Sequence, residues 1–180
     1  PAGGRPRLSD RGALSHPRAP SRVAGAAPGR SAAGRVRQVI ILDTNVLSAL
    51  MRTAPEPAVV RWLDRQPVES IWIASITVFE TRLGLALLPR GRRRQTLESA
   101  FDQLLQEDLD NRVLDFDSAA ATEAAALAAT RQRAGRPVDM RDTQIAGIAR
   151  ARRAALATRN VRHFQDAGVT LIDPWDSAAG

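Results

Sequence analysis

The chain has 180 residues, long enough for one domain with a substantial core. It contains no Cys, Lys or Tyr, which excludes disulfides, thiolate catalysis, cysteine-ligated zinc and lysine chemistry. The formal net charge of +7 is typical of a nucleic-acid-binding protein, but its position along the chain decides what it means.

Residues 1 to 38 hold the whole charge excess. Of the 26 basic and 19 acidic residues, eight arginines and one aspartate lie in this leader, which leaves 18 of each sign elsewhere. The leader is rich in Ala, Gly, Pro, Ser and Arg, so we predict that it is disordered. An organellar transit peptide and an arm that grips nucleic acid are alternatives. Because residue 1 is Pro, the native start is left open.

From residue 39 onward, short apolar runs alternate with longer helical patterns. Strands are predicted at 39–42, 71–74, 112–115, 154–158 and 169–172. Helices are predicted at 44–51, 57–65, 75–88, 92–107, 117–134, 140–152 and 161–166. This alternation predicts an α/β fold over residues 39–176, a three-layer α/β/α sandwich around a parallel sheet, with a flexible end at 177–180. No apolar run reaches the ~20 residues that span a bilayer, so we expect a soluble, cytoplasmic protein.

The first strand ends in Asp43, followed by Thr44 and Asn45. Ligands of parallel α/β sheets bind at the carboxyl ends of the strands, which favours a chemical role for Asp43. Asp, Thr and Asn are also good helix caps, and a helix is predicted to begin here. The motif alone leaves both interpretations open.

Glu80 lies within an apolar stripe of its helix that we predict to face the core. The stripe consists of Ile76, Phe79, Leu83 and Leu87. A carboxylate on a buried face is costly unless a positive group pairs with it. A metal ion would serve, and an arginine such as Arg82 is the structural alternative.

Asp142 is the third acid, three and four residues before Ile145 and Ala146 on a predicted buried face. Asp139, one turn earlier, could be a helix cap, a residue that supports a metal ligand, or itself a ligand. As the structural alternative, Asp139 as N-cap with Asp142 at the third helical position would resemble an ordinary capping arrangement. Thr158 ends the strand predicted at 154–158 and Asn160 directly follows it, at the same sheet edge as Asp43.

Carboxylates that meet at one edge repel each other, so they share protons or need a cation. Oxygen ligands of this kind suit Mg²⁺ or Mn²⁺. With two histidines and no nucleophile-elbow sequence, a Ser-His-Asp hydrolase has little support. Metal-dependent phosphodiester hydrolysis is the chemistry that the remaining side chains favour.

Four motifs occur in the order and spacing of the PIN domain. They are residues 41–48 (ILDTNVLS), 75–84 (SITVFETRLG), the Asp142 helix and 157–160 (ATRN). Over about residues 39–176 the chain resembles the VapC and FitB toxins of bacterial type II toxin–antitoxin pairs. The resemblance implies a Mg²⁺-dependent ribonuclease, with Mn²⁺ as a possible substitute. Asp43 and Asp142 would hold the ion, and Glu80 would complete the site directly or through water. Metal-activated water would then cut RNA and leave a 5′ phosphate. Asn160 stands where many relatives have a fourth acid.

The resemblance also implies a homodimer and a cognate antitoxin that lies in a groove beside the acids. Residues that could line this groove, with core packing as the alternative, are Val46, Leu50, Val59, Val60, Trp62 and Leu63. The predicted RNA contacts, which a solvated loop would also explain, are Arg90, Arg92, Arg93 and Arg94. A weaker second set is Arg131, Arg133, Arg136 and Arg141.

Two other functions stay open at this point. One is a PIN fold that binds RNA or protein without catalysis, because Asn160 weakens the metal site. The other is a phosphoryl-handling α/β phosphatase or receiver domain. Those families need a Lys, and the phosphatases also have a second Asp where this chain has Asn45. The sequence does not indicate which RNA is cut.

Overall fold

The computed structural model describes residues 38–52 and 54–176. The predictions for the leader up to residue 37 and for residues 177–180 lie outside this part of the chain. The strands are β1 (Ile40–Leu42), β2 (Ile71–Ala74), β3 (Val113–Leu114), β4 (Ala155–Ala157) and β5 (Leu171–Ile172). The helices are α1 (Thr44–Leu50), α2 (Pro57–Asp64), α3 (Ser75–Ala86), α4 (Arg92–Gln103), α5 (Ser118–Arg133), α6 (Met140–Arg152) and α7 (Val161–Phe164). A short 3₁₀ turn (Val68–Ser70) precedes β2, and a π-helical turn (Leu104–Asp108) extends α4.

The five strands form one parallel sheet in the order β3-β2-β1-β4-β5. Strand β1 is therefore central, and the chain changes direction across the sheet between β1 and β4. Ligands of such sheets bind at this switch point. The register places Leu42 of β1 level with Ile73 on one side and Ala157 on the other. The carboxyl ends of three strands thus meet at one edge.

Side chains of β1 alternate between two cores. Ile40 and Leu42 pack with α1, α2 and residues of α4 on one face of the sheet, whereas Ile41 packs with α5, α6 and α7 on the other. All three side chains are almost fully buried. The prediction of a three-layer α/β/α sandwich with a parallel sheet is confirmed.

Helices α5 and α6 pack closely because both present small side chains. A Cβ atom on Gly147 would lie 2.6 Å from the carbonyl oxygen of Ala120 and 2.7 Å from Cβ of Ala124. These distances are shorter than any ordinary contact, so only glycine fits at this crossing. The alanines of α5 are therefore part of a helix interface, which holds α6 in place.

The predicted core face of α3 is wrong. Phe79, Leu83 and Leu87 are 56%, 38% and 76% exposed, and the buried positions of this helix are Thr77 and Leu85. The stripe has correct helical spacing, but the helix turns it outward. None of the helices in the described ranges is long and apolar enough to cross a membrane.

Candidate active site

Asp43 links the end of β1 to the start of α1. Its backbone is extended, and its Oδ1 accepts a hydrogen bond from the backbone N of Thr44 at 2.8 Å, so Asp43 is the N-cap of α1. Its Oδ2 accepts from Thr158 Oγ1 at 2.7 Å and from Asn45 Nδ2 at 2.6 Å. With 5% exposure, the carboxylate is nearly enclosed. Capping and a chemical role, which the sequence presented as alternatives, are therefore compatible.

Thr158 and Asn45 join the ends of β4 and β1 beneath this carboxylate. Asn45 Nδ2 also reaches Thr158 Oγ1 at 3.1 Å, and Asn45 Oδ1 accepts from the backbone N of Arg159 at 3.1 Å. Asn160 donates its backbone N to Thr158 Oγ1 at 3.0 Å. Asn160 itself is exposed, and within the described residues its side-chain amide makes no hydrogen bond. It supports Thr158 through its backbone.

Glu80 approaches from α3 and is held by two elements. Its Oε2 accepts from Thr44 Oγ1 at 2.6 Å, and its Oε1 lies 3.3 Å from Nη1 of Arg141. The side chain is 18% exposed, although the apolar stripe around it faces outward. Arg82, the partner considered from sequence, instead pairs with Asp102 and stacks on Phe101.

The first turn of α6 supplies Asp142. Asp139 is the N-cap, since its Oδ1 accepts from the backbone N of Arg141 at 2.9 Å and of Asp142 at 3.1 Å. The Asp142 side chain is 21% exposed, and its Oδ2 lies 2.8 Å from Nδ1 of His163. The sequence analysis did not predict that His163 belongs to this site. The feature that could have indicated it is its position three residues after Asn160, in the helix that follows β4.

The acids influence each other electrostatically. Burial raises the pKa of Asp43 above its usual value, and the negative charges of Asp142 and Glu80 raise it further. The hydrogen bonds from Thr158 and Thr44 lower this pKa and so oppose the increase. Burial also raises the pKa of Asp142, as do the charges of Asp139 and Glu80, while the bond to His163 opposes this. The three carboxylates therefore share one electrostatic environment that a cation would relieve.

The donor set fits a hard divalent cation. Every carboxylate and hydroxyl here is an oxygen ligand, which suits Mg²⁺ and Mn²⁺. Within residues 38–52 and 54–176, no group of three or more Asp, Glu, His or Cys side chains is placed to hold a metal ion. Mg²⁺ does not require this, because it is commonly held by one or two carboxylates and keeps several waters.

A cavity of about 940 Å³ opens beside Glu80, between α1, α3 and α4. Thr44 and Glu80 form its end at the acids, and its other walls include Ser48, Met51, Leu85, Leu97, Arg92 and Arg93. Four of the six residues expected to line an antitoxin groove follow the alternative of core packing instead. Val46, Val59, Trp62 and Leu63 are at most 3% exposed and belong to the core, while Leu50 and Val60 are half-buried. None of the six lines this cavity.

The arginines predicted to contact RNA occupy different environments. Arg92 and Arg93 line the cavity, and Arg90 is exposed. Arg94 is tied to Glu98 Oε1 at 2.8 Å and to the carbonyl of Ala86 at 3.0 Å, where it closes the turn between α3 and α4. Arg94 thus stabilises this turn, and its contact with RNA stays a prediction.

In the weaker set, Arg131 is a buried structural residue and its RNA prediction is wrong. Its guanidinium bonds Asp166 at 2.7 Å, Thr143 Oγ1 at 2.9 Å and the carbonyl of His163 at 2.8 Å. It thereby joins α5, α6 and α7. Arg133 and Arg136 are exposed, and only Arg141 of this set touches a candidate acid.

The chain belongs to the PIN domain family, whose model matches residues 40–169. It is 38% identical over 140 residues to VapC ribonuclease Y4jK from Sinorhizobium fredii, across 78% of this chain and 100% of that protein. It is 34% identical over 137 residues to toxin FitB from Neisseria gonorrhoeae, across 76% of this chain and 99% of FitB. The crystal structure of FitAcB from that organism superposes with a TM-score of 0.70 at 34% identity, across 76% of this chain and 99% of that one. The resemblance to the VapC and FitB toxins is confirmed.

Proposed function

We propose that this protein is a metal-dependent endoribonuclease and the toxic member of a toxin–antitoxin pair. The observation that carries the proposal is the convergence of Asp43, Glu80 and Asp142 at the carboxyl edge of the sheet, where their charges act on each other. RNA is the substrate, in keeping with the ribonuclease among the relatives, and the proposed place of action is the cytoplasm.

Asp43 and Asp142 would hold Mg²⁺ or Mn²⁺, and Glu80 would complete the site directly or through a water molecule. The bound ion would lower the pKa of the attacking water and supply the positive charge that stabilises the phosphoryl transition state. The protein's own contribution is positional. Thr158 and Asn45 fix the orientation of the Asp43 carboxylate, and Thr44 fixes that of Glu80. Arg92 and Arg93 attract the RNA backbone toward the acids.

Cleavage assays test this proposal directly. Wild-type protein, Asp43→Asn and the control Asp102→Asn would be incubated with structured and single-stranded RNA over a Mg²⁺ titration. Asp102 is a surface acid paired with Arg82, so its change leaves the site intact. We expect cleavage by wild type and the control, with 5′ phosphates on the products, and none by Asp43→Asn or in EDTA. Cleavage that persists unchanged in Asp43→Asn or in EDTA would contradict the mechanism and favour a contaminating nuclease.

We further propose that a cognate antitoxin binds in the cavity beside Glu80. The apolar walls at Met51, Leu85 and Leu97 suit an amphipathic segment, and a positive side chain at its end would meet Glu80. Co-expression with a candidate antitoxin would show a stable complex for wild type, weakened by Met51→Arg in the cavity wall. A complex unaffected by that change would place the partner elsewhere.

A homodimer is proposed through the outer face of α3. Phe79, Leu83 and Leu87 expose large apolar side chains on α3, Met140 at the start of α6 is also exposed, and exposed apolar patches commonly mark protein contacts. Sedimentation is expected to give a dimer for wild type and a monomer for Leu87→Arg. A dimer in both would refute this face as the interface.

A further inference from the structure

Arg141 holds an unusual position for a surface arginine. It lies next to Asp142 in the first turn of α6, and its Nη1 is 3.3 Å from Oε1 of Glu80. Its side chain is 57% exposed, and this is the one hydrogen bond that its guanidinium makes within the described residues. A single long contact to a largely exposed guanidinium contributes little to stability. Most of the guanidinium donors face solvent, available to a ligand.

The surroundings of Arg141 are acidic, yet a nuclease must bring a polyanion to them. Asp43, Glu80, Asp139 and Asp142 all lie at this edge. Among the described residues, Arg141 donates the only guanidinium hydrogen bond to any of the three candidate metal ligands. Arg92 and Arg93 line the cavity together with Glu80, whereas Arg141 reaches Glu80 from outside that cavity. Glu80 therefore has arginines on two separate elements, α4 and α6.

We infer that Arg141 is a phosphate-binding residue of this site, which exchanges Glu80 for the phosphate oxygens at the bond that is cut. The inference rests on the proposed ribonuclease function. A guanidinium presents two parallel N–H donors that match two phosphate oxygens, and it stays protonated throughout the working pH range. A donor aimed at the reacting phosphate stabilises the charge that develops there. The alternative is that Arg141 serves only as a counter-ion for Glu80.

RNA binding without metal separates the two roles. The full chain in EDTA would be titrated with a fluorescently labelled single-stranded RNA of mixed sequence over a range of salt concentrations. The variants are Arg141→Gln, Arg141→Lys and the control Arg152→Gln. Arg152 lies in the same helix, about 16 Å along its axis, and pairs with Asp117. We expect Arg141→Gln to weaken binding several-fold and to reduce the slope of log affinity against log salt by about 0.7, the value for one phosphate contact on a single strand. Arg141→Lys is expected to keep the wild-type slope, and Arg152→Gln to keep both affinity and slope.

Single-turnover cleavage in Mg²⁺ then tests the position of the contact. We expect Arg141→Gln to lower the rate at saturating protein by about tenfold or more, and Arg141→Lys to lose most of the rate because it lacks the planar fork. Wild-type RNA affinity and salt slope in Arg141→Gln would overturn the inference, and so would a cleavage defect that excess Mg²⁺ restores. If the proposed ribonuclease function is wrong, the result is different. Wild type and Arg152→Gln would then bind RNA but cleave none of it in Mg²⁺ or Mn²⁺. The comparison of RNA binding between wild type and the Arg141 variants would still decide whether Arg141 binds phosphate.

Discussion

Replacement of Gly147 by Ala tests whether the close approach of α5 and α6 positions the site. The new Cβ would lie 2.6 Å from the Ala120 carbonyl oxygen, 2.7 Å from Cβ of Ala124 and 2.9 Å from its backbone N. Two of these three atoms belong to backbone and cannot rotate away, so the helices must separate by about 1 Å. Overpacking of this kind costs about 1–3 kcal/mol. The better helix propensity of Ala returns about 0.5–1 kcal/mol, which leaves a net destabilisation of up to about 2.5 kcal/mol, and of about 1 kcal/mol at the middle of both ranges.

Urea unfolding at equal protein concentrations in EDTA would measure this change, and the melting temperature should fall by about 2–8 °C. Gly84→Ala is the matched control, because no atom lies within 4 Å of a Cβ at that helical position. The control should be stabilised by about 0.5–1 kcal/mol. Because α6 carries Asp142, Gly147→Ala should also lower cleavage by more than its loss of folded protein. A Gly147→Ala protein as stable as wild type would refute this account. Equal changes in the free energy of unfolding for Gly147→Ala and Gly84→Ala would refute it as well.

Three further predictions concern charge and hydrogen bonding. Asp166→Asn should cost about 2–3 kcal/mol, because it leaves the guanidinium of Arg131 buried without its carboxylate. The Arg131 guanidinium lowers the pKa of Asp166, so this contribution is complete above the unfolded value of 3.8 and is lost as pH falls through the lower pKa of the folded state. The difference in unfolding free energy between variant and wild type should therefore shrink as pH falls below 3.8, and a difference that stays constant down to the acid unfolding of wild type would contradict the argument. Mg²⁺ or Mn²⁺ at 100 times its Kd should stabilise wild type by about 2.7 kcal/mol in thermal unfolding but not Asp142→Asn. The gain should shrink as pH falls, because burial and neighbouring acids raise the pKa of Asp142 and protons then compete with the ion; an equal gain in the variant would refute the site. Thr158→Val removes a hydroxyl that lowers the pKa of Asp43, so the acid limb of the pH–rate profile should move to higher pH. Thr158→Ser should not move it, and an unmoved limb in Thr158→Val would show that this hydrogen bond does not tune Asp43.

Strand ends were predictable from sequence because burial and polarity change abruptly there. The run before Asp43 is apolar on both faces, which is typical of a central parallel strand. Since parallel strands end at a common edge, Asp43 and Thr158 were expected to be neighbours. The structure joins them at 2.7 Å. The assignment of catalytic and metal-binding roles to these residues stays a prediction.

Other features could not be read from periodicity. The spacing in α3 shows that its two sides differ, but it does not show which side the sheet covers, so Phe79 was wrongly placed inside. Arg131 looked like a surface cation because its partner Asp166 is 35 residues away in the chain. Arg141 and His163 were likewise linked to the acids only through contacts between distant segments. The local sequence pattern thus predicted the helices and strands. The side-chain contacts between distant segments could be identified only from the folded structure.

The two outermost strands, β3 and β5, contain only two residues each. A strand that short presents few unpaired backbone groups to another sheet, which discourages the growth of fibrils by edge-to-edge addition. The edges of this sheet therefore offer little backbone to a second copy, and the side chains of the helices are the larger surface left for contact between copies.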